Sequence, residues 1–268
     1  MTWATNPLFT PGEHGEDVTT DVEAQLQRSS GDTPVPTVPE SQEWAFKAPT
    51  DHLTRRQAVY IFIIDGLVSG LLGGGINFGI AYSTYRMMDA VRLFALPNSL
   101  AADAGFTLLA QFIITWIIEC FVVNYHLRKG LVPPIGFLRE PKNRFMRWYF
   151  YLDHEQPQEL KGFMPWLGLI LSNTLRSLIL LAAFFPVTFG ASIGFLVLAG
   201  TRKGEDWYFD VVWAPQVFKL IFGIVVGSTC TPLMAAFWLV RSGWVLKTRE
   251  GAGGIRSVEE VVTPKNSL

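Results

Sequence analysis

Apolar residues gather in four long runs, at residues 58–82, 106–125, 167–199 and 211–240, with polar connections between them. A helix that crosses a bilayer needs about 20 mostly apolar residues, and every run meets that length. The pattern predicts an all-α, polytopic membrane protein with four transmembrane helices in a domain over residues 51–248. Each run also carries an ionisable residue: Asp65, Glu119, Arg176 and Lys219 in turn. A charge at the centre of an isolated spanning helix costs roughly 2.5–3.5 kcal/mol on insertion scales, so these four need partners or a wet cavity.

The third run is long. As one helix it would measure about 50 Å against a hydrocarbon core of about 30 Å, so it must tilt, kink or project. Pro186 lacks a backbone donor and crowds the preceding turn, which predicts a bend there; a re-entrant pair of half-helices is the alternative. Pro232 invites a second kink in the fourth run. Small residues recur at four-residue spacing in the first run, as Gly66/Gly70/Gly74, Ser69/Gly73 and Gly75/Gly79, and again as Gly190/Gly194 and Gly223/Gly227. Such a face lets another backbone approach closely. Packing within one chain is the plainer use, a homo-oligomer contact the other, and an unwound stretch at residues 73–75 a third.

Between the second and third runs, residues 127–162 form a basic loop. Pro141 stands at a first helical position, and Phe145, Trp148, Tyr149 and Leu152 follow at helical spacing, so a helix over about 141–152 is expected to lie in the headgroup layer. Arg144, Arg147 and Trp148 are its interfacial residues. The stretch 131–137, with Pro133 and Pro134, reads as an extended connector. Cations near the ends of spanning segments favour the cytosolic side. They concentrate before the first run, in this loop and after the last run, which places both termini and the loop in the cytosol.

The overall averages, 49% hydrophobic residues and a net charge of -1, blend two unlike parts. Residues 1–50 are acidic and rich in Thr, Ser and Pro, too polar to offset the entropy of ordering, and read as a disordered tail; residues 249–268 read as a short cytosolic tail. The amino terminus has neither a basic nor an apolar signal region, so the first helix is expected to serve as the insertion signal. Cys120 and Cys230 both lie in apolar runs, which excludes a disulfide framework. No Asn-x-Ser/Thr sequon occurs.

At 1.5 Å per residue, Asp65, Glu119 and Arg176 fall about 10, 9 and 14 Å from the cytosolic ends of their helices, in one layer. Two carboxylates and a guanidinium at one depth predict a buried network in which Arg176 donates to both acids, with Asn173, Asn124 and Gln111 at its margin. Lys219 lies towards the opposite side, with Asn77, Asp206 or Asp210 as partners, or it snorkels to the interface. The network serves either to fix helix register or to handle protons or cations.

Enzyme signatures are missing. His14, His52, His126 and His154 are scattered without metal spacing, and there is no nucleophile elbow, P-loop or dinucleotide fingerprint, so no catalytic residue, metal or cofactor is expected. Thr10-Pro11, Thr33-Pro34 and Thr263-Pro264 resemble proline-directed phosphorylation sites, and Trp44 and Phe46 form a short element suited to a partner or to membrane contact. The acidic tail, four spans and basic Pro-Pro loop together resemble uncharacterised multi-pass endomembrane proteins of fungi. That resemblance implies a vacuolar or secretory-pathway membrane and no particular activity. The sequence reading is a transport-related or transport-regulating membrane protein. The alternative is a scaffold whose tail and loop recruit cytosolic partners or lipids. The expected surroundings are the lipid bilayer, a homo-oligomer and a cytosolic partner of the tail, with no nucleic acid.

Overall fold

The computed structural model describes residues 47–96, 99–153 and 163–262, with side chains as far as residue 248. The expectations for residues 1–46, for His154 and the remainder of the loop, and for Thr263-Pro264 lie outside the described residues. Among the described residues, four helices are long and apolar enough to cross a membrane: α1 (Arg55–Tyr85), α2 (Leu100–Arg128), α4 (Phe163–Ala199) and α5 (Ala214–Val262). A short α3 (Arg144–Tyr149) lies in the loop.

Local signals set the boundaries. Thr54 and Gln57 form a capping box before α1, each bonding the other's backbone amide. Ser99 caps α2 by accepting from the Ala102 amide, which starts the helix before the apolar run and puts Asp103 in its first turn, where the helix dipole favours a carboxylate. Pro186 sits inside a continuous α4, so no re-entrant pair forms, and residues 73–75 are helical rather than unwound. At 37 residues α4 measures about 55 Å. Within α1, residues Val59–Val68 wind as a π-helix, a form that usually marks a functional or strained site.

The fold is not purely helical. Strands β1 (Val91–Arg92), β2 (Thr201–Lys203) and β3 (Asp206–Phe209) make an antiparallel sheet in the order β1-β3-β2. The all-α expectation missed it because two of these strands face each other across a hairpin of charged residues, and the third joins from the α1–α2 connection. Val91 pairs with Phe209 and Arg92 with Tyr208. Asp206 fastens the sheet by accepting from the amides of Phe94, Ala95 and Trp207. Burial pulls its carboxyl upward, and the three amides outweigh this, so it is held below the ordinary carboxylate range.

Helix α5 is the centre of the bundle: α1 and α2 both pack on it, and α4 packs on α2. The α1–α5 seam is built on glycines. A Cβ at Gly223 would lie 2.8 Å from the Gly73 carbonyl and 2.9 Å from the Gly74 Cα, and one at Gly227 would lie 3.0 Å from the Gly70 Cα. Additions at Gly70 and Gly74 would run into Ser228 and Ile224, while a Cβ at Gly66 would lie at an ordinary 3.5 Å from Pro232. Gly75, Gly79, Gly190 and Gly194 face open space, so their spacing has no packing counterpart among the described residues. At the opposite end from the sheet, the connector after α2 runs along α5: the Ile135 amide donates to Leu239, Trp244 Nε1 to Leu138 and Lys247 Nζ to Gly136.

The seam gives a direct expectation. Gly223→Leu should lower stability by about 1–3 kcal/mol, the usual cost of overpacking a tight interface, whereas Gly75→Leu should leave the unfolding midpoint unchanged. Thermal unfolding of the detergent-solubilised protein compares the two.

Candidate functional site

Helices α1 and α2 both rest on α5 and touch each other far less. They are pinned at their ends by two tyrosines of α1. Tyr60 Oη lies 2.9 Å from His126 Nδ1, and Tyr85 Oη donates to Asp103 Oδ2 at 2.8 Å. Between the pins a crevice of about 370 Å³ opens, with α1 and α2 as walls and Lys219 and Thr231 of α5 on its lining.

A polar rail runs along the α2 wall: Asp103, Thr107, Gln111, Thr115 and Glu119, each four residues from the last. Sixteen residues of helix make this rail about 24 Å long. Gln111 Nε2 donates to Thr115, and Ser69 and Asn77 face it from α1. The spacing is visible in the sequence, but Asp103 precedes the apolar run and threonines are ordinary in apolar helices, so only Glu119 and Gln111 stand out there.

The structure separates the residues that were expected to form one network. Asp65 and Glu119 are 3% and 4% exposed and lie within electrostatic range of each other and of Tyr60. Asp65 Oδ2 and Glu119 Oε2 have no hydrogen-bond partner, and Glu119 lines the crevice. Arg176 does not join them. Its Nε donates to the Tyr149 carbonyl at 2.9 Å, its Nη2 to Trp148 at 2.7 Å, and its Nη1 to the Ser172 carbonyl and hydroxyl. The guanidinium lies over the rings of Trp148 and Tyr151, at 4.4 and 3.6 Å. Backbone carbonyls of the loop thus replace the acids as its acceptors. Tyr151 takes a positive φ of 57° to close that turn. Asn173 instead accepts from Trp116 Nε1 at 3.0 Å, linking α4 to α2.

Lys219 is likewise satisfied, but by neither Asn77, Asp206 nor Asp210. Its Nζ donates to Asp103 Oδ1 at 3.0 Å and to Thr107, so Asp103 ties α1, α2 and α5 together. Only 1% of the Lys219 side chain is exposed, so it does not snorkel. In the loop, helix is confined to α3 rather than extending over 141–152. Arg147 is taken by Glu140 and Asp153, Arg144 is exposed, and Trp148 carries Arg176. The residues after α3 turn inward: Phe150 stacks on Phe237 at 4.4 Å, and its carbonyl accepts from Arg241.

Fold and site define a mostly helical protein with four long apolar helices and a laterally placed polar crevice. Residues 142–239 match the model of a family described as a protein of unknown function (DUF2456). The match takes in the Arg176 clamp and Lys219 but not α1 or α2. The chain is 35% identical over 191 residues to an uncharacterized protein of Schizosaccharomyces pombe, covering 70% of this chain and 38% of that one. It is 27% identical over 243 residues to an uncharacterized protein of Saccharomyces cerevisiae, covering 68% of this chain and 77% of that one. The chain thus spans well under half of the fission-yeast relative's length. No solved structure matches.

The clamp predicts a local effect. Arg176→Lys keeps the charge but removes the planar fork that serves two successive carbonyls. It should speed amide hydrogen exchange in residues 148–152 at least tenfold while leaving the rates in α1 unchanged.

Proposed function

We propose that the chain is a multi-pass integral membrane protein of a fungal-type endomembrane, vacuolar or secretory, with both ends of the helical domain on the cytosolic side. Its activity is transport-related, and the α1–α2 crevice is the working part. The observation that carries this reading is the pair Asp65 and Glu119: two buried carboxylates in one region, each with an unpartnered oxygen, one of them at the inner end of a polar rail about 24 Å long. Leaving a carboxylate oxygen buried and unpaired is costly. The other two intramembrane charges are fully engaged in structure, Arg176 by loop carbonyls and Lys219 by Asp103. A group left unpaired where its neighbours are not is placed to take up a proton or a cationic group. Arg176 is accordingly a structural clamp in this reading rather than a counter-ion.

The alternative, a scaffold that recruits partners through the basic loop, draws support from the exposed Lys142 and Arg144. It is weakened by the commitment of Arg147 to Glu140 and Asp153 and by the folding of residues 149–152 into the bundle.

Proteoliposomes separate the two. Wild-type protein should support a pH-dependent flux of protons or of a cationic substrate that falls at least tenfold in the Asp65→Asn/Glu119→Gln double variant, with an unchanged elution profile. Absence of flux in a folded wild type, with tight binding of cytosolic proteins to the loop, would favour the scaffold.

A further inference from the structure

The shape of the crevice restricts what can enter it. Towards each end a hydrogen bond joins α1 to α2, at Tyr60–His126 and at Tyr85–Asp103. The second link is reinforced by Lys219 on the same carboxylate. The long side stays open. Its rims are apolar and outward facing: Leu72 and Ile76 on α1 are 64% and 55% exposed, and Phe106 and Ile118 on α2 are 70% and 50% exposed. In a bilayer those rims meet hydrocarbon, so a molecule reaches the rail sideways, through lipid, and a hydrated solute does not.

The polar lining sets the rest of the ligand. Its ionisable groups are Asp103, Glu119 and Lys219, two carboxylates against one ammonium. Asp103 and Lys219 neutralise each other at 3.0 Å, which leaves Glu119 as the acid on the lining without a cationic partner. That side chain is 4% exposed, borders the cavity and has an unpartnered Oε2, with the hydroxyls of Thr115 and Thr231 on the same lining. An unpaired carboxylate in a low-dielectric site is best completed by a charge-assisted donor. The cavity, at about 370 Å³, falls at the small end of ligand pockets, enough for a headgroup and the first part of a chain.

The geometry points to a lipid-dissolved amphiphile with a primary ammonium headgroup as the ligand: the ammonium donates to Glu119, and a single alkyl chain lies along Ile118 and Phe106 into the bilayer. This deepens the transport reading by naming the cargo class of the same crevice.

Native mass spectrometry of the full chain in neutral detergent, titrated with hexadecylamine, hexadecanol or butylamine, tests it. We expect one hexadecylamine per chain, half-occupied at a concentration at least tenfold below that for hexadecanol, and no retained butylamine. Glu119→Gln should raise the hexadecylamine midpoint at least tenfold. Ile118→Trp, which fills the open side without touching the buried network, should do the same in a chain of unchanged thermal stability. Equal binding of amine and alcohol, indifference to both substitutions, or occupation of the crevice by a second copy that amine does not displace would overturn the assignment. Amine binding that depends on Glu119, without any flux in proteoliposomes, would remove the transport reading and leave the site. Flux without amine binding would do the reverse.

Discussion

The approach of α1 to α5 sets the dimensions of everything else. Glycines on both helices bring the backbones together at Gly70–Gly227 and at Gly73/Gly74–Gly223, closer than any side chain would allow. Helices in lipid gain little from the hydrophobic effect against one another, so close van der Waals contact is a main source of their affinity. Once α1 is drawn tightly onto α5, and α2 is held on the same helix by bulkier residues such as Trp116 against Trp238 and Phe237, the two outer helices stand apart. The crevice is the remainder of that unequal packing. Its presence needs no special device beyond one seam of small residues and one of large ones.

Against that frame of helices the four ionisable residues of the long apolar runs divide cleanly. Arg176 and Lys219 each find several acceptors, and each thereby joins separate parts of the chain: Arg176 fixes the loop turn to α4, and Lys219 fixes α5 to the starts of α2 and, through Asp103, to the end of α1. A buried ion pair is weak grounds for stability, but it is strongly directional, and here the direction sets which helix faces which. Asp65 and Glu119 contribute no such link. Asp65 lies in the π-wound part of α1, where the helix is least regular, which is the usual company of functional groups.

The long apolar runs were plain in the sequence because length and composition alone define them, and the structure adds only a few residues at most ends. The partners of the charges were not legible, for three different reasons. Arg176 bonds main-chain carbonyls at the C-terminal end of α3, which every helix has and no pattern marks. Lys219 was given acidic partners beyond the helices because Asp103 was read as part of a connection. The serine at 99, a capping residue just before the run, was the available sign that α2 begins earlier. The polar rail was present in the spacing of Asp103, Thr107, Gln111, Thr115 and Glu119, and was lost because a four-residue repeat was sought in glycines alone. The sheet was hidden by its shortness, since two- to four-residue strands carry almost no alternation.

That small sheet has an effect on how the molecule can be assembled. It joins the α1–α2 connection to the α4–α5 connection, so Val91 meets Phe209 across most of the helical domain's sequence. Contacts of such separation form late, after the loop-closure entropy has been met by other interactions. During synthesis the α1–α2 connection therefore has no strand to pair with until residues 206–209 have emerged. Asp206 then secures both connections with three backbone amides in a single step. The sheet acts as a clasp between two connections, and a chain cut anywhere between residues 93 and 200 would still carry both halves of it.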